Sequence, residues 1–135
     1  MKINSKNSIS NYYLKIIGLI ILLIVISLIL KRENTILIVI FGIVIVILLL
    51  FNKIYTQIEI DTDEVKIIYY QWFCRLENKF EKSKINVKVN SKAAFRGGEI
   101  YLLNIIKENK TILEIDERDG FCLSDFEAVE KYFLK

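Results

Sequence analysis

The chain has 135 residues, 53% of them hydrophobic and 26% charged, with 19 Lys and Arg against 16 Asp and Glu and neither histidine nor proline. That length allows one small domain, the lack of histidine removes the usual base for a Ser or Cys nucleophile, and Cys74 and Cys122 are too few for a disulfide framework and lack metal-ligand spacing. Residues 1–52 hold five basic side chains against Glu33, while residues 53–135 hold fourteen basic against fifteen acidic, so the second half lacks the net basic charge of a nucleic-acid binder.

Two apolar runs, Ile16 to Leu30 and Ile36 to Phe51, are separated only by Lys31-Arg32-Glu33-Asn34-Thr35. A 15-residue helix is about 22 Å long at ~1.5 Å per residue, short of a hydrocarbon core of about 30 Å. Tyr12, Tyr13 and Leu14 extend the first span. Lys15 then snorkels toward headgroups and the tyrosine pair sits in an interfacial belt. The expected spans are therefore 12–30 and 36–51, within an N-terminal region 1–52. No small-residue cleavage site follows Leu30, which argues against a signal peptide. Both runs are apolar all round, unlike the striped helices of a soluble core.

Lys2, Lys6, Lys15, Lys53 and Lys66 flank the outer span ends, against Lys31 and Arg32 in the loop, so both termini are expected in the cytoplasm.

From residue 53 onward the pattern becomes that of strands. Tyr55 to Ile60 alternates, Asp61-Thr62-Asp63 makes a turn, and Glu64 to Phe73 forms the next strand. On that strand Val65, Ile67, Tyr69 and Gln71 share one face, and Ile68, Tyr70 and Trp72 the other. Cys74 to Lys79 reads as a short third strand, Lys82-Ser83-Lys84 as a turn, and Ile85, Val87 and Val89 as a fourth strand. Ser91 to Gly98 reads as a loop. Glu99 to Ile106 and Thr111 to Ile115, joined through Lys107-Glu108-Asn109-Lys110, form the clearest hairpin. Asp119-Gly120 is a turn signal. Ser124-Asp125-Phe126-Glu127 fits a capping box opening a helix over 124–134, with Phe126, Val129 and Phe133 as its buried stripe.

Two spans, a run of strands and one closing amphipathic helix resemble the bacterial membrane proteins that carry a PH-like (pleckstrin-homology-like) domain. The stretch from Thr56 through Tyr70, then Trp72-Phe73 and Lys84-Ile85-Asn86-Val87, looks like that family's opening meander and short turn. The resemblance implies a membrane α+β protein: a two-helix transmembrane hairpin followed, over 53–135, by a small antiparallel β-barrel or sheet with a C-terminal capping helix. It also implies a non-enzymatic scaffold for protein or lipid contacts.

Candidate chemistry is sparse. Asp61, Asp63 and Glu64 lack the glycine and distal glutamate of a calcium loop, and Gly97-Gly98 lacks the lysine and serine of a phosphate loop. No catalytic, metal or cofactor residue is expected. Charge is segregated, however: Lys79, Lys82, Lys84, Lys88, Lys92 and Arg96 face only Glu81, whereas 107–130 holds three basic and eight acidic residues. Lys82, Lys84, Lys88, Lys92 and Arg96 form a candidate membrane-surface contact, each lysine worth on the order of 1 kcal/mol near anionic headgroups. The outward face of an ordinary strand explains Lys84, Asn86 and Lys88 better than docking does. Tyr69, Tyr70 and Trp72 form a candidate partner contact, although core packing explains that cluster just as well.

The expected function is protein or membrane-surface interaction by a cytoplasmic domain anchored in the bacterial inner membrane, the alternative being a small accessory or immunity-type protein that regulates a membrane partner. The expected partners are the lipid bilayer and a protein partner or further copies of the chain, with no nucleic acid.

Overall fold

The structure, a computed structural model, describes residues 1–29, 32–94 and 97–134. Among these the elements run β1 (Lys2–Asn4), α1 (Ile9–Ile29), α2 (Arg32–Phe51), β2 (Ile54–Ile60), β3 (Glu64–Gln71), β4 (Cys74–Glu81), β5 (Asn86–Ala93), β6 (Glu99–Lys107), β7 (Lys110–Asp116) and α3 (Leu123–Phe133). The protein is α+β, with an N-terminal apolar helix, antiparallel sheets and a C-terminal helix.

Two compact units divide the chain. The β unit comprises Met1–Asn7, Tyr55–Tyr69 and Arg75–Lys135; the helical unit comprises Ser8–Ile54 and Tyr70–Cys74. β1 pairs antiparallel with β2 in the register Lys2↔Glu59, Ile3↔Ile58, Asn4↔Gln57. Ile3 packs against the core, while Lys2 and Glu59 form an ion pair at 3.3 Å. A three-residue strand is too short to display a period, so only its partner reveals it.

The β unit holds a four-stranded sheet ordered β1-β2-β3-β4 and a three-stranded sheet ordered β5-β6-β7, and no closed barrel forms among the described residues. The alternating residues Ile58, Ile60, Val65, Ile67 and Tyr69 of the first sheet share a core with Val87, Leu103, Ile105, Leu113 and Ile115 of the second. Phe126 and Val129 of α3 complete it, both essentially inaccessible, and Phe133 lies partly buried beside them.

Three local expectations are corrected. Strand β5 continues through Ser91, Lys92 and Ala93, read above as loop, because these pair with Tyr101, Ile100 and Glu99 of β6; a ladder partner satisfies the backbone even where the side chains do not alternate. Helix α3 is capped two residues earlier than expected. The Asp125 carboxylate accepts the Cys122 N–H at 2.8 Å, so the acidic half of the capping box falls to Asp125 and Ser124 lies within the first turn. Strand β3 stops at Gln71, and Trp72 and Phe73 form a two-residue turn.

In the helical unit, α1 is long and apolar enough to cross a membrane, with mean hydropathy 2.6. The apolar run of α2, Ile36–Phe51, is shorter. The helices pack where Gly42 leaves room for Leu23: a Cβ at Gly42 would lie 2.6 Å from Leu23 Cδ2. Their other faces are bare, with Leu14, Leu28, Leu37, Phe41 and Leu48 all exposed.

Candidate functional site

The polar chemistry of the β unit is that of turns. Asp61 Oδ1 accepts the Thr62 N–H at 2.9 Å, and the Asp61 N–H donates to the Glu64 carbonyl at 2.9 Å. Among the described residues no three His, Cys, Asp or Glu side chains are grouped to hold a metal ion. Both cysteines are free, Cys74 exposed and Cys122 half-buried. Lys6 Nζ donates to Cys122 Sγ at 2.9 Å, and this bond holds the ammonium above its ordinary pKa.

Most of the basic stretch engages groups of its own unit. Lys79 pairs with Glu77 at 2.9 Å and Lys84 with Glu81 at 2.7 Å. Lys92 reaches across the sheet to Glu114 at 3.3 Å and Asp116 at 4.0 Å, and Lys82 Nζ lies 4.0 Å from the centroid of the Tyr132 ring. Lys88 is exposed, and Arg96 lies outside the described residues. Segregation along the chain is therefore partly offset in space: Lys79 and Lys84 pair with nearby glutamates, and Lys92 of β5 reaches across β6 to the acidic residues of β7. Exposed pairs of this kind add little stability, because solvent and salt screen them.

The aromatic trio is dispersed by the fold. Tyr69 is a core residue, 8% exposed, with its ring 5.8 Å from that of Tyr55. Tyr70 is half-buried, and Trp72 and Phe73 are exposed at the turn. That turn gathers aromatic residues the sequence left far apart. The Phe73 ring stacks on Tyr13 at 4.2 Å with 24° between planes, and the Phe73 N–H donates to Tyr13 Oη at 3.0 Å. Trp72 meets Phe51 edge to face at 4.7 Å, and Tyr12 meets Tyr13 edge to face at 5.7 Å.

Polar bonds run beneath these rings. The last carbonyls of a helix have no partner within it, and at the end of α2 they accept from this cluster. Tyr12 Oη donates to the Leu49 carbonyl at 2.8 Å, Gln71 Nε2 to the Phe51 carbonyl at 2.7 Å and the Trp72 N–H to the Leu50 carbonyl at 3.4 Å. Tyr12 and Tyr13 are legible as an aromatic pair at the start of the first apolar run, and Trp72 as a candidate contact residue. Phe73 and Phe51 are not, since only the β3–β4 turn brings them there.

A shallow depression of about 540 Å³ in the β unit is lined by Asp63, Glu81, Lys82, Ile85 and Phe133 among others. It has no convergent set of buried polar groups, which a small-molecule site ordinarily requires. The chain matches no family model, no curated protein and no solved structure.

Proposed function

We propose that the chain is a non-enzymatic membrane protein in which α1 and α2 cross the bilayer as a hairpin inserted between the first two strands of a PH-like unit, and that this unit binds a protein partner at the membrane surface. The observation that carries the reading is the pairing of β1 with β2. The two ends of the helical segment enter one β unit, so if α1 crosses a membrane, α2 must return. The bare apolar faces of both helices support burial in lipid, since a soluble monomer rarely exposes so continuous an apolar surface. Two antiparallel sheets and a closing helix support the PH-like reading.

The lysine asymmetry about the spans favours a bacterial inner membrane with the β unit in the cytoplasm. The partner contact is assigned to β4, the edge of its sheet. There Leu76 is exposed and an incoming strand would find unpaired backbone. Crosslinking of the full chain in native membranes, read by mass spectrometry, tests this. Crosslinks from Lys79 on β4 to one recurrent protein, or to a second copy, are expected; intrachain crosslinks alone would discard the interaction role.

A further inference from the structure

We propose that Trp72 and Phe73, at the β3–β4 turn, are an interfacial lipid anchor: together with Tyr12, Tyr13 and Phe51 they form an aromatic collar seated in the headgroup and glycerol layer of the bilayer that holds α1. The inference rests on the reading of α1 and α2 as membrane helices and adds to it a specific contact with lipid.

The first observation is backbone conformation. Trp72 and Phe73 have φ of 53° and 62°, the left-handed region in which side chains other than Gly, Asn and Asp are uncommon. The β6–β7 turn has the same geometry at Glu108 and Asn109, φ 50° and 62°, and there a polar pair sits with an asparagine second, as such turns prefer. Two bulky aromatic residues in that conformation are strained, because each Cβ crowds the following carbonyl oxygen. Strain of this kind persists where the side chains it presents have a use.

The second observation is where those side chains go. Trp72 and Phe73 are 43% and 58% exposed although the Phe73 ring stacks on Tyr13 and the Trp72 ring meets Phe51 edge to face. On α1, Leu14 follows Tyr13 directly and Ile17 lies one turn beyond it, and on α2 Leu48 lies one turn before Phe51; all four of Leu14, Ile17, Leu48 and Phe51 are exposed. An exposed aromatic edge at the end of two apolar helices, with a Trp ring and with Tyr rings whose hydroxyls bond the backbone beneath, matches the mixed polarity of the interface, where Trp and Tyr concentrate. Exposed Lys15, beside this collar on α1, supplies a cation at headgroup level. The bonds from Tyr12, Gln71 and Trp72 to the α2 carbonyls satisfy backbone groups that would otherwise meet a region poor in water.

Trp72 is the sole tryptophan of the chain, so its fluorescence reports this site alone. The full chain is reconstituted in phosphatidylcholine vesicles carrying spin-labelled lipid, with the label either near the headgroup or near the end of the acyl chain. The expected result is blue-shifted emission, quenched more by the shallow label than by the deep one and little by aqueous iodide. Emission typical of water with full iodide quenching would overturn the anchor. So would stronger quenching by the deep label, and so would shielding from both quenchers, which would indicate packing against a second copy. Flotation of the same vesicles keeps the two readings apart: chain that fails to float removes the membrane reading and the anchor with it, whereas chain that floats with Trp72 in water removes the anchor alone.

Discussion

Gly120 carries more of the fold than its size suggests. Its φ is +95°, and a Cβ there would lie 2.5 Å from Ser5 Oγ and 2.7 Å from the backbone nitrogen of Asn7. The N-terminal tail lies against it: the Lys6 N–H donates to the Gly120 carbonyl at 2.8 Å, Asn7 Nδ2 to the Arg118 carbonyl at 2.9 Å, and Ser5 Oγ to the Asp119 carbonyl. Gly120→Ala is expected to cost about 2 kcal/mol or more, roughly half from backbone strain, and to speed amide exchange across residues 2–5. Gly97 has φ +86° but nothing within 4 Å of an added Cβ. Gly97→Ala therefore isolates the strain, and should lower the unfolding midpoint by less and leave exchange at β1 unchanged.

The adjoining turn also confers a pH dependence. Burial pushes Asp119 up to about 6, with the nearby Asp116 carboxylate adding to the rise. Asp116 is itself raised by burial but drawn further down by its bonds from Arg118, so its pKa falls below the ordinary value. For Asp119 the folded state binds a proton before the unfolded state does. Its contribution is complete below about pH 4 and is lost as pH rises through about 6. Asp116 acts in the opposite sense and in a lower window, its contribution lost as pH falls below 4. In nanodiscs, Asp119→Asn should flatten the thermal midpoint between pH 4 and 6 and raise it at pH 7; an unchanged slope would show that Asp119 titrates normally.

Among the elements, the helix pair makes the sharpest contrast. Gly18 and Gly42 are equivalent in composition, yet a Cβ at Gly18 meets nothing within 4 Å while one at Gly42 meets Leu23. Gly42→Leu should cost about 1–3 kcal/mol through overpacking, lowering the unfolding midpoint in mixed micelles. Gly18→Leu should leave it within experimental error. The strands show what periodicity can and cannot declare. β2 and β7 alternate, and β3 and β6 are apolar runs bounded by turn signals, so all four are read directly, and the Phe126 and Val129 stripe is legible at helical spacing. The extension of β5 and the start of α3 are not, because each is decided by a partner: the β6 ladder for Lys92 and Ala93, and the carboxylate of Asp125 for the Cys122 amide.

For the whole molecule, the pairing of β1 with β2 makes a topological claim that maleimide labelling can check. In a Cys74→Ser, Cys122→Ser background, single cysteines at Asn7 and Glu127 should react with an impermeant reagent from the same side of sealed vesicles, and one at Glu33 only from the other. Reaction of Asn7 and Glu127 from opposite sides would break either the β1–β2 pairing or the hairpin.

Hydrophobicity and its period act along the chain, so the sequence by itself determined the apolar helices, the strand-rich second half, the closing helix and the absence of histidine chemistry. Contacts between distant residues are invisible to period and composition. Only the tertiary structure decided that residues 2–4 form a strand of the β unit, that Lys92 of β5 pairs across the sheet with Glu114 and Asp116 of β7, that Tyr69 belongs to the core, and that Trp72 and Phe73 meet Tyr13 and Phe51 at one end of the helices.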